Sequence, residues 1–451
     1  MRFPFATALA CLLTVTALKA EKPNVILIMA DDLGYRDLGC YGHPSIKTPV
    51  LDKLAAGGMR LTNFHSGASV CTPSRMALLT GAYPVRLGWT KGVAGYLMGP
   101  KDGMASEALT IAEIFKAEGY VTGISGKWHI GRLPGTTPGD QGFDSSFYNP
   151  MSNNQLDELW RGDKIEVKPT DNRLLTEQFT TEAMRFIREN KEKPFFLYLP
   201  HTAPHFPVMP HPDWKGHSGF GDYGDVVEEL DGRIGDILEL LDELKLAQNT
   251  IVVFISDNGP QKGEKASALP FRGAKWSAFE GGTRVPGIVS WPGKIPGGGK
   301  SDDLIGAIDL LPTLCRAAGI DWKRHAKGKP PLDGMDVWDT LLGKCDDHPR
   351  SELLHWHGMH ATPHALTSGN WKIFPDRRHA AEGHSKKAIA EDADASPLLY
   401  NLQDDPAESE DLSARFPEKV AALESRFDGL LREISSGTML EIATPDDTKP
   451  R

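Results

Sequence analysis

The chain has 451 residues, of which 40% are hydrophobic and 24% charged, a composition that supports a packed core and excludes a disordered or collagen-like chain. Lys and Arg number 50 against 60 Asp and Glu, so the formal net charge is −10, which argues against a general nucleic-acid binder because that role needs clustered cations. The length suits two or three domains, or one large α/β domain with an appendage, and 46 Gly with 33 Pro favour long loops.

Met1 and Arg2 open the chain with positive charge, Phe3 to Leu18 is apolar and uncharged, and Ala20 closes the run before Glu21-Lys22-Pro23. This reads as a secretory signal peptide over residues 1–20, shorter than a membrane span, and no other stretch is long and apolar enough to span. The expectation is an exported protein, periplasmic or secreted, whose net charge moves from −10 to −12 as Arg2 and Lys19 leave. Cys40, Cys71, Cys315 and Cys345 remain, too few and too scattered for a disulfide framework.

Asn24 to Met29 is a continuous apolar run, as expected of a strand covered on both faces, and Val121 to Ile124, Phe195 to Leu199, Ile251 to Ile255 and Gly287 to Val289 repeat the pattern. Helical spacing is predicted between them over Thr48 to Ala56, Pro73 to Leu79, Leu109 to Glu118, Leu174 to Asn190 and Asp225 to Leu244. Alternation of this kind predicts an α/β fold, a mostly parallel sheet with helices on both faces. From about Arg350 the pattern changes to short strands, Ala365 to Thr367, Trp371 to Phe374 and Leu398 to Leu402, then an amphipathic helix from Pro417 to about Ile434. A catalytic domain over 21–345 and a smaller C-terminal α+β subdomain with an antiparallel sheet over 346–451 are therefore expected.

Open α/β sheets bind ligands beyond the carboxyl ends of their strands. The residues that follow the apolar runs are Asp31 and Asp32, then Lys127, His129 and Arg132, then His201 and His205, then Asp257 and Asn258. Asp31, Asp32, Asp257 and Asn258 are hard oxygen donors, and two pairs at two strand ends suit Ca²⁺ or Mg²⁺ better than two separate helix caps. Cys71-Thr72-Pro73-Ser74-Arg75 precedes a short helix closed by Gly81, with Thr72 a candidate N-cap and Pro73 the first helical residue. Cys71 there reads as an activated thiolate or as a structural cysteine, and an exposed thiolate would be vulnerable in an oxidising compartment.

These residues resemble the sulfatase family. Cys71-Thr72-Pro73-Ser74-Arg75 with Leu79-Thr80-Gly81 is similar to its Cys/Ser-x-Pro-x-Arg signature, and Gly126-Lys127-Trp128-His129-Ile130-Gly131 to its second motif. Asp31-Asp32-Leu33-Gly34, Thr48-Pro49 to Leu54, Ala203-Pro204-His205, Ser256-Asp257-Asn258-Gly259 and Lys275-Trp276 through Glu280-Gly281-Gly282 follow in the same order, so the likeness runs from Asn24 to Trp291. The resemblance implies an alkaline-phosphatase-like fold, oxidation of Cys71 to Cα-formylglycine by a maturation enzyme, and Ca²⁺ held by Asp31, Asp32, Asp257, Asn258 and residue 71. It also implies that Arg75 and Lys127 stabilise the hydrated aldehyde, that His129 takes a proton, and that His205 and Lys275 bind sulfate and protonate the leaving alcohol. His201 is the weaker histidine, since the family pattern falls on the one before Phe206-Pro207.

The activity so implied is hydrolysis of sulfate monoesters, on a sulfated carbohydrate, with no nucleic acid as partner and no membrane span in the mature chain. Two alternatives stand beside it: a phosphodiester or phosphonate monoester hydrolase using the same modified residue, and a sulfated-glycan-binding protein without catalysis. Finally, His355, His357, His360 and His364 cluster near Trp356 and Trp371, a set open to readings as a transition-metal site, a sugar-facing wall or packing.

Overall fold

The computed structural model describes residues 22–96, 103–344, 348–360, 362–382 and 394–441. The expected signal peptide, Cys345 and the expected boundary at 345/346 lie outside the described residues. Ten strands form one sheet, in the spatial order Gly299–Ser301, Met59–Leu61, Gly287–Ser290, Thr250–Ser256, Asn24–Ala30, Phe195–Pro200, Val121–Lys127, Ser145–Asn149, Leu159–Arg161 and Lys164–Val167. The five strands from Thr250–Ser256 to Ser145–Asn149 are mutually parallel, and antiparallel pairings occur only toward the two ends.

The apolar runs behave as their two-sided burial requires. Along Asn24–Ala30, Val25, Leu27 and Met29 enter one core while Ile26, Ile28 and Ala30 enter the other, one on each face of the sheet. Each such side chain taken fully out of water contributes roughly 1.5–3 kcal/mol. The long helices Leu175–Asn190 and Asp222–Glu243 cover one face with Phe179, Ile187, Leu230 and Ile237, whereas Cys71–Thr80 and Ile111–Ala117 pack on the other. Ile111–Ala117 starts at Thr110, whose hydroxyl accepts from Glu113 N while the Glu113 carboxylate accepts from Thr110 N, a reciprocal cap.

The Val121 strand runs three residues beyond its apolar part, to Lys127. Gly126 permits this: a Cβ there would stand 2.0 Å from Pro200 O on the neighbouring strand, and its φ of +141° suits glycine alone. The extension carries Lys127 to the strand end.

Glu352–His355, Ala365–Ser368, Trp371–Phe374 and Leu398–Asn401 form a second, wholly antiparallel sheet of four strands. The Pro417–Ser436 helix buries Val420, Leu423, Phe427 and Ile434 in the same continuous core that holds Val25, Leu353 and Leu366. A buried ion network ties this sheet to the short Glu280–Thr283 helix that precedes the Gly287–Ser290 strand of the large one: Lys372 Nζ lies 2.9 Å from Glu280 and 3.0 Å from Glu408. Among the described residues, no helix is long and apolar enough to cross a membrane.

Candidate active site

Asn24–Ala30 and Thr250–Ser256 are adjacent and parallel, with Ala30 opposite Ser256, so the acids that follow both strands emerge side by side. Asp257 N donates to Ala30 O, and Asp257 Oδ1 accepts from Asp32 N at 3.1 Å. Asp32 has a φ of +64°, a conformation that Asp tolerates better than most residues, and the turn it makes swings its carboxylate back toward Asn258, whose Nδ2 donates at 2.7 Å.

Three cations converge on these acids. Lys127 Nζ lies 2.5 Å from Asp31 Oδ2. Arg75 donates through Nε and Nη2 to Asp257 Oδ2 at 3.2 and 2.8 Å, and through Nη1 to Lys127 O at 3.0 Å. Lys275 Nζ reaches the two Asp32 oxygens at 2.7 and 2.8 Å. All six side chains are buried, and three negative charges face three positive ones.

Burial alone would raise the Asp31 carboxyl, but Lys127, His205, Arg75 and Lys275 hold it well below the usual carboxylate range. Asp257 is pushed up to about 7, first by burial and then by the Asp31 charge. Lys275 and Arg75 both move upward against burial because carboxylates surround them.

Cys71 is the first residue of the Cys71–Thr80 helix, 1% exposed, with Sγ 3.7 Å from Asp31 Oδ1. Burial pushes its thiol up to about 12, so an unmodified Cys71 is not an activated thiolate. Thr72 does not cap the helix as expected. The helix begins two residues earlier, with Val70 at the cap position, and Thr72 Oγ1 instead donates to His129 O and accepts from Ala94 N. The first bond ties the signature helix to the second motif, and the second ties it to the segment around Ala94.

His129, at a φ of +59°, interacts through Nε2 with Ala94 O at 3.1 Å, which makes Nε2 the protonated nitrogen. Nδ1 is buried without a partner, and burial together with Lys127 and Arg75 keeps the ring neutral. His205 interacts through Nδ1 with Phe206 O and presents Nε2 3.7 Å from Asp32 Oδ2.

A cleft of about 350 Å³ opens on this cluster, lined by Cys71, His129, His205 and Lys275 together with Tyr96, Asn154, Gln155, Phe206 and Trp276. Phe206 and Trp276 adjoin the motif residues His205 and Lys275, whereas Tyr96, Asn154 and Gln155 follow no apolar run and lie in no motif. His201 is not among the lining residues. It is buried against Phe179 with both ring nitrogens unpartnered, and burial pushes it down to about 3.

The donor set fits a hard divalent cation. Ligand atoms of Asp31, Asp32, Cys71 and His205 lie within 4.8 Å of one another, and Asn258 Oδ1 is a buried acceptor with no partner. Asp257 contributes less freely, since Arg75 and Asp32 N already occupy its oxygens.

A second buried group, His65, Glu280 and His355, comes together from three segments. Here the Lys372 ammonium and Arg284 already neutralise Glu280, and Thr283 bridges the two histidines. His355 is thus separated from its sequence neighbours. His357, His360 and His364 gather instead with His379, whose ring stacks on His364 at 4.3 Å.

Residues 23–320 match the family model described as Sulfatase. The chain is 35% identical to human arylsulfatase A over 90% of its own length and 87% of that protein's. It is 34% identical to the N-acetylgalactosamine-6-O-sulfatase of Bacteroides thetaiotaomicron, with 90% and 92% covered. Among solved structures it superimposes on a sulfatase from Pseudoalteromonas sp. with a TM-score of 0.83 at 26% identity, covering 94% of this chain and 92% of that one.

Proposed function

The chain belongs to the sulfatase family and is a sulfuric ester hydrolase, and from that premise we propose an exported enzyme that removes sulfate from a carbohydrate. In this reading Cys71 is converted to Cα-formylglycine by a maturation enzyme of the host. Asp31, Asp32, Asp257, Asn258 and residue 71 hold Ca²⁺, and residues 1–20 direct export. The single observation that carries it is the meeting of Cys71 Sγ and Asp31 with Arg75, Lys127 and Lys275 beside one cleft, which Cys71 and Lys275 line. The amide side chains of Asn154 and Gln155 that line the cleft support a hydroxyl-rich leaving group.

Ca²⁺ bound here would draw charge from the sulfate oxygens and lower the pKa of the attacking hydroxyl. Formylglycine, once hydrated, would offer that hydroxyl in place of a thiol that burial keeps protonated. The chain's own residues do the rest. Arg75 and Lys127 fix the acids and supply positive charge beside residue 71. His129 Nδ1, neutral and unpartnered, accepts a proton from residue 71. Lys275 stays charged through Asp32 and binds a sulfate oxygen. His205 Nε2 is placed to carry the proton of the departing alcohol, since an anionic ester in the cleft raises the ring's affinity for it.

We further propose residues 21–345 as the catalytic unit and 346–451 as a subdomain that folds with it, because the two sheets share one apolar core. Sulfate release from a panel of sulfated saccharides, run against phosphate mono- and diesters, tests the assignment. Faster turnover of the phosphate esters would sink it.

A further inference from the structure

A groove of about 800 Å³ opens between the Gly299–Ser301 and Met59–Leu61 end of the large sheet and the C-terminal sheet, and it shares no lining residue with the Cys71 cleft. Arg60 and Lys300 stand side by side in it as register partners on adjacent parallel strands, and Arg284 completes a cationic wall. Like charges directly opposite each other cost stability. Among the described residues no carboxylate forms an ion pair with Arg60 or Lys300, and Asp302 is the one acid lining the groove. Arg284 is paired with Glu280 at 3.2 Å, so the uncompensated cations are Arg60 and Lys300, and in a chain of net charge −10 two such cations side by side call for an anionic ligand.

Two of the three are held ready. Arg60 Nη1 donates to Cys40 O while its guanidinium lies 5.8 Å from the Tyr41 ring centroid. Arg284 Nε donates to Thr62 O at 2.9 Å, and its guanidinium lies 4.5 Å over Phe271. Arg284 Nη1 donates to Glu280 Oε2, so the anchoring leaves Nη2 of each guanidinium outside these bonds and lowers the entropy lost on binding a planar or tetrahedral oxyanion. Tyr35 packs edge-to-face against both Tyr41 and Phe271 and is itself partly exposed, an aromatic floor for a sugar ring. On the opposite wall, Asn370 Nδ2 donates to Gln403 Oε1, which leaves Asn370 Oδ1 and Gln403 Nε2 for hydroxyl groups.

We propose that this groove is a second, non-catalytic binding site for a sulfated oligosaccharide, with its sulfates on Arg60 and Lys300 beside Arg284; the choice of glycan rests on the function proposed above. A cationic groove with an aromatic floor and amide rim retains a polymeric substrate beside the enzyme while the cleft acts on its sulfate esters.

The test uses the full chain with chondroitin sulfate hexasaccharide and its desulfated counterpart as probes. Binding by calorimetry is measured on Cys71→Ala protein, with and without Arg60→Gln and Lys300→Gln. The double substitution should weaken binding of the sulfated probe about tenfold or more, equivalent to about 1.4 kcal/mol. Arg60→Lys with Lys300→Arg, which keeps the charges, should restore it, and the desulfated probe should bind neither protein. The sulfated probe should also protect Lys300 from amine acetylation. In protein with native Cys71, the Gln substitutions should leave kcat/KM for a small aryl sulfate unchanged. Unaltered affinity in the Gln variant, or no protection of Lys300, overturns the groove. Protection of Lys300 in a protein that hydrolyses no sulfate ester would instead leave the groove standing and refute the proposed function.

Discussion

Lys127 Nζ and Asp31 Oδ2 meet at 2.5 Å with neither side chain reaching solvent. Removing one partner of such a pair leaves a charge buried alone, at a typical cost of about 3–5 kcal/mol. Lys127→Ala should therefore destabilise the fold by that order and lower kcat at least about 10²-fold, because a donor beside residue 71 is lost as well. Urea unfolding and steady-state kinetics on a sulfate ester check both.

His129→Ala should separate catalysis from folding. The ring contributes one hydrogen bond, to Ala94 O, worth about 1 kcal/mol, and its Nδ1 contributes none. A loss of about 10²–10⁴ in kcat is expected with a small change in Tm. Equal losses in kcat and stability would remove His129 from the proton path.

Chelation should abolish turnover without unfolding the chain. Asp31, Asp32 and Asp257 are each paired with Arg75, Lys127 or Lys275 independently of any ion, so the ion-free site is already charge-balanced. EGTA treatment should reduce activity about 10²-fold or more, and added Ca²⁺ should restore it. Circular dichroism should show the secondary structure retained throughout.

The Lys372 network carries a pH signature of its own. Burial pushes the Glu408 carboxyl up to about 7 although Lys372 opposes the rise, and the Glu280 charge adds to it. The folded chain thus binds more protons than the unfolded one between about pH 4.5 and 7. This group's contribution is complete below that window and is lost as pH rises through it, on the order of a few kcal/mol. Glu280 is held below its ordinary value, so its own contribution is lost only at more acidic pH and adds no slope here. Glu408→Gln should make the loss of stability between pH 5 and 7 shallower, with Asp257 and Glu229, also raised to about 7, keeping their own shares, as read by urea midpoints across that range.

Much of the site was legible because parallel strands advertise themselves. Asn24–Ala30, Phe195–Pro200 and Thr250–Ser256 are buried on both faces, so their apolar runs mark where the next polar residues must emerge at one sheet edge. Asp31, Asp257 and Asn258 follow directly from that rule. Ser145–Asn149 escaped it because Ser-Ser-Phe-Tyr-Asn has no apolar run, although the strand is mostly buried. Thr72 misled because it lies inside the first turn of the Cys71–Thr80 helix, and its hydroxyl satisfies His129 O and Ala94 N rather than the helix end. His379 joins His364 and His360, and Arg60 joins Arg284, only after the C-terminal sheet and the sheet edge are assembled. Contacts between distant segments leave no periodic trace in the chain.

Mass spectrometry of the tryptic peptide Leu61–Arg75 from active, purified protein bears most directly on the proposed chemistry. The account predicts that residue 71 carries an aldehyde, with the peptide lighter than its thiol form and reactive toward hydrazides, and that specific activity rises in proportion to the converted fraction. Full sulfate ester hydrolysis by protein whose Cys71 remains an unmodified thiol would contradict it.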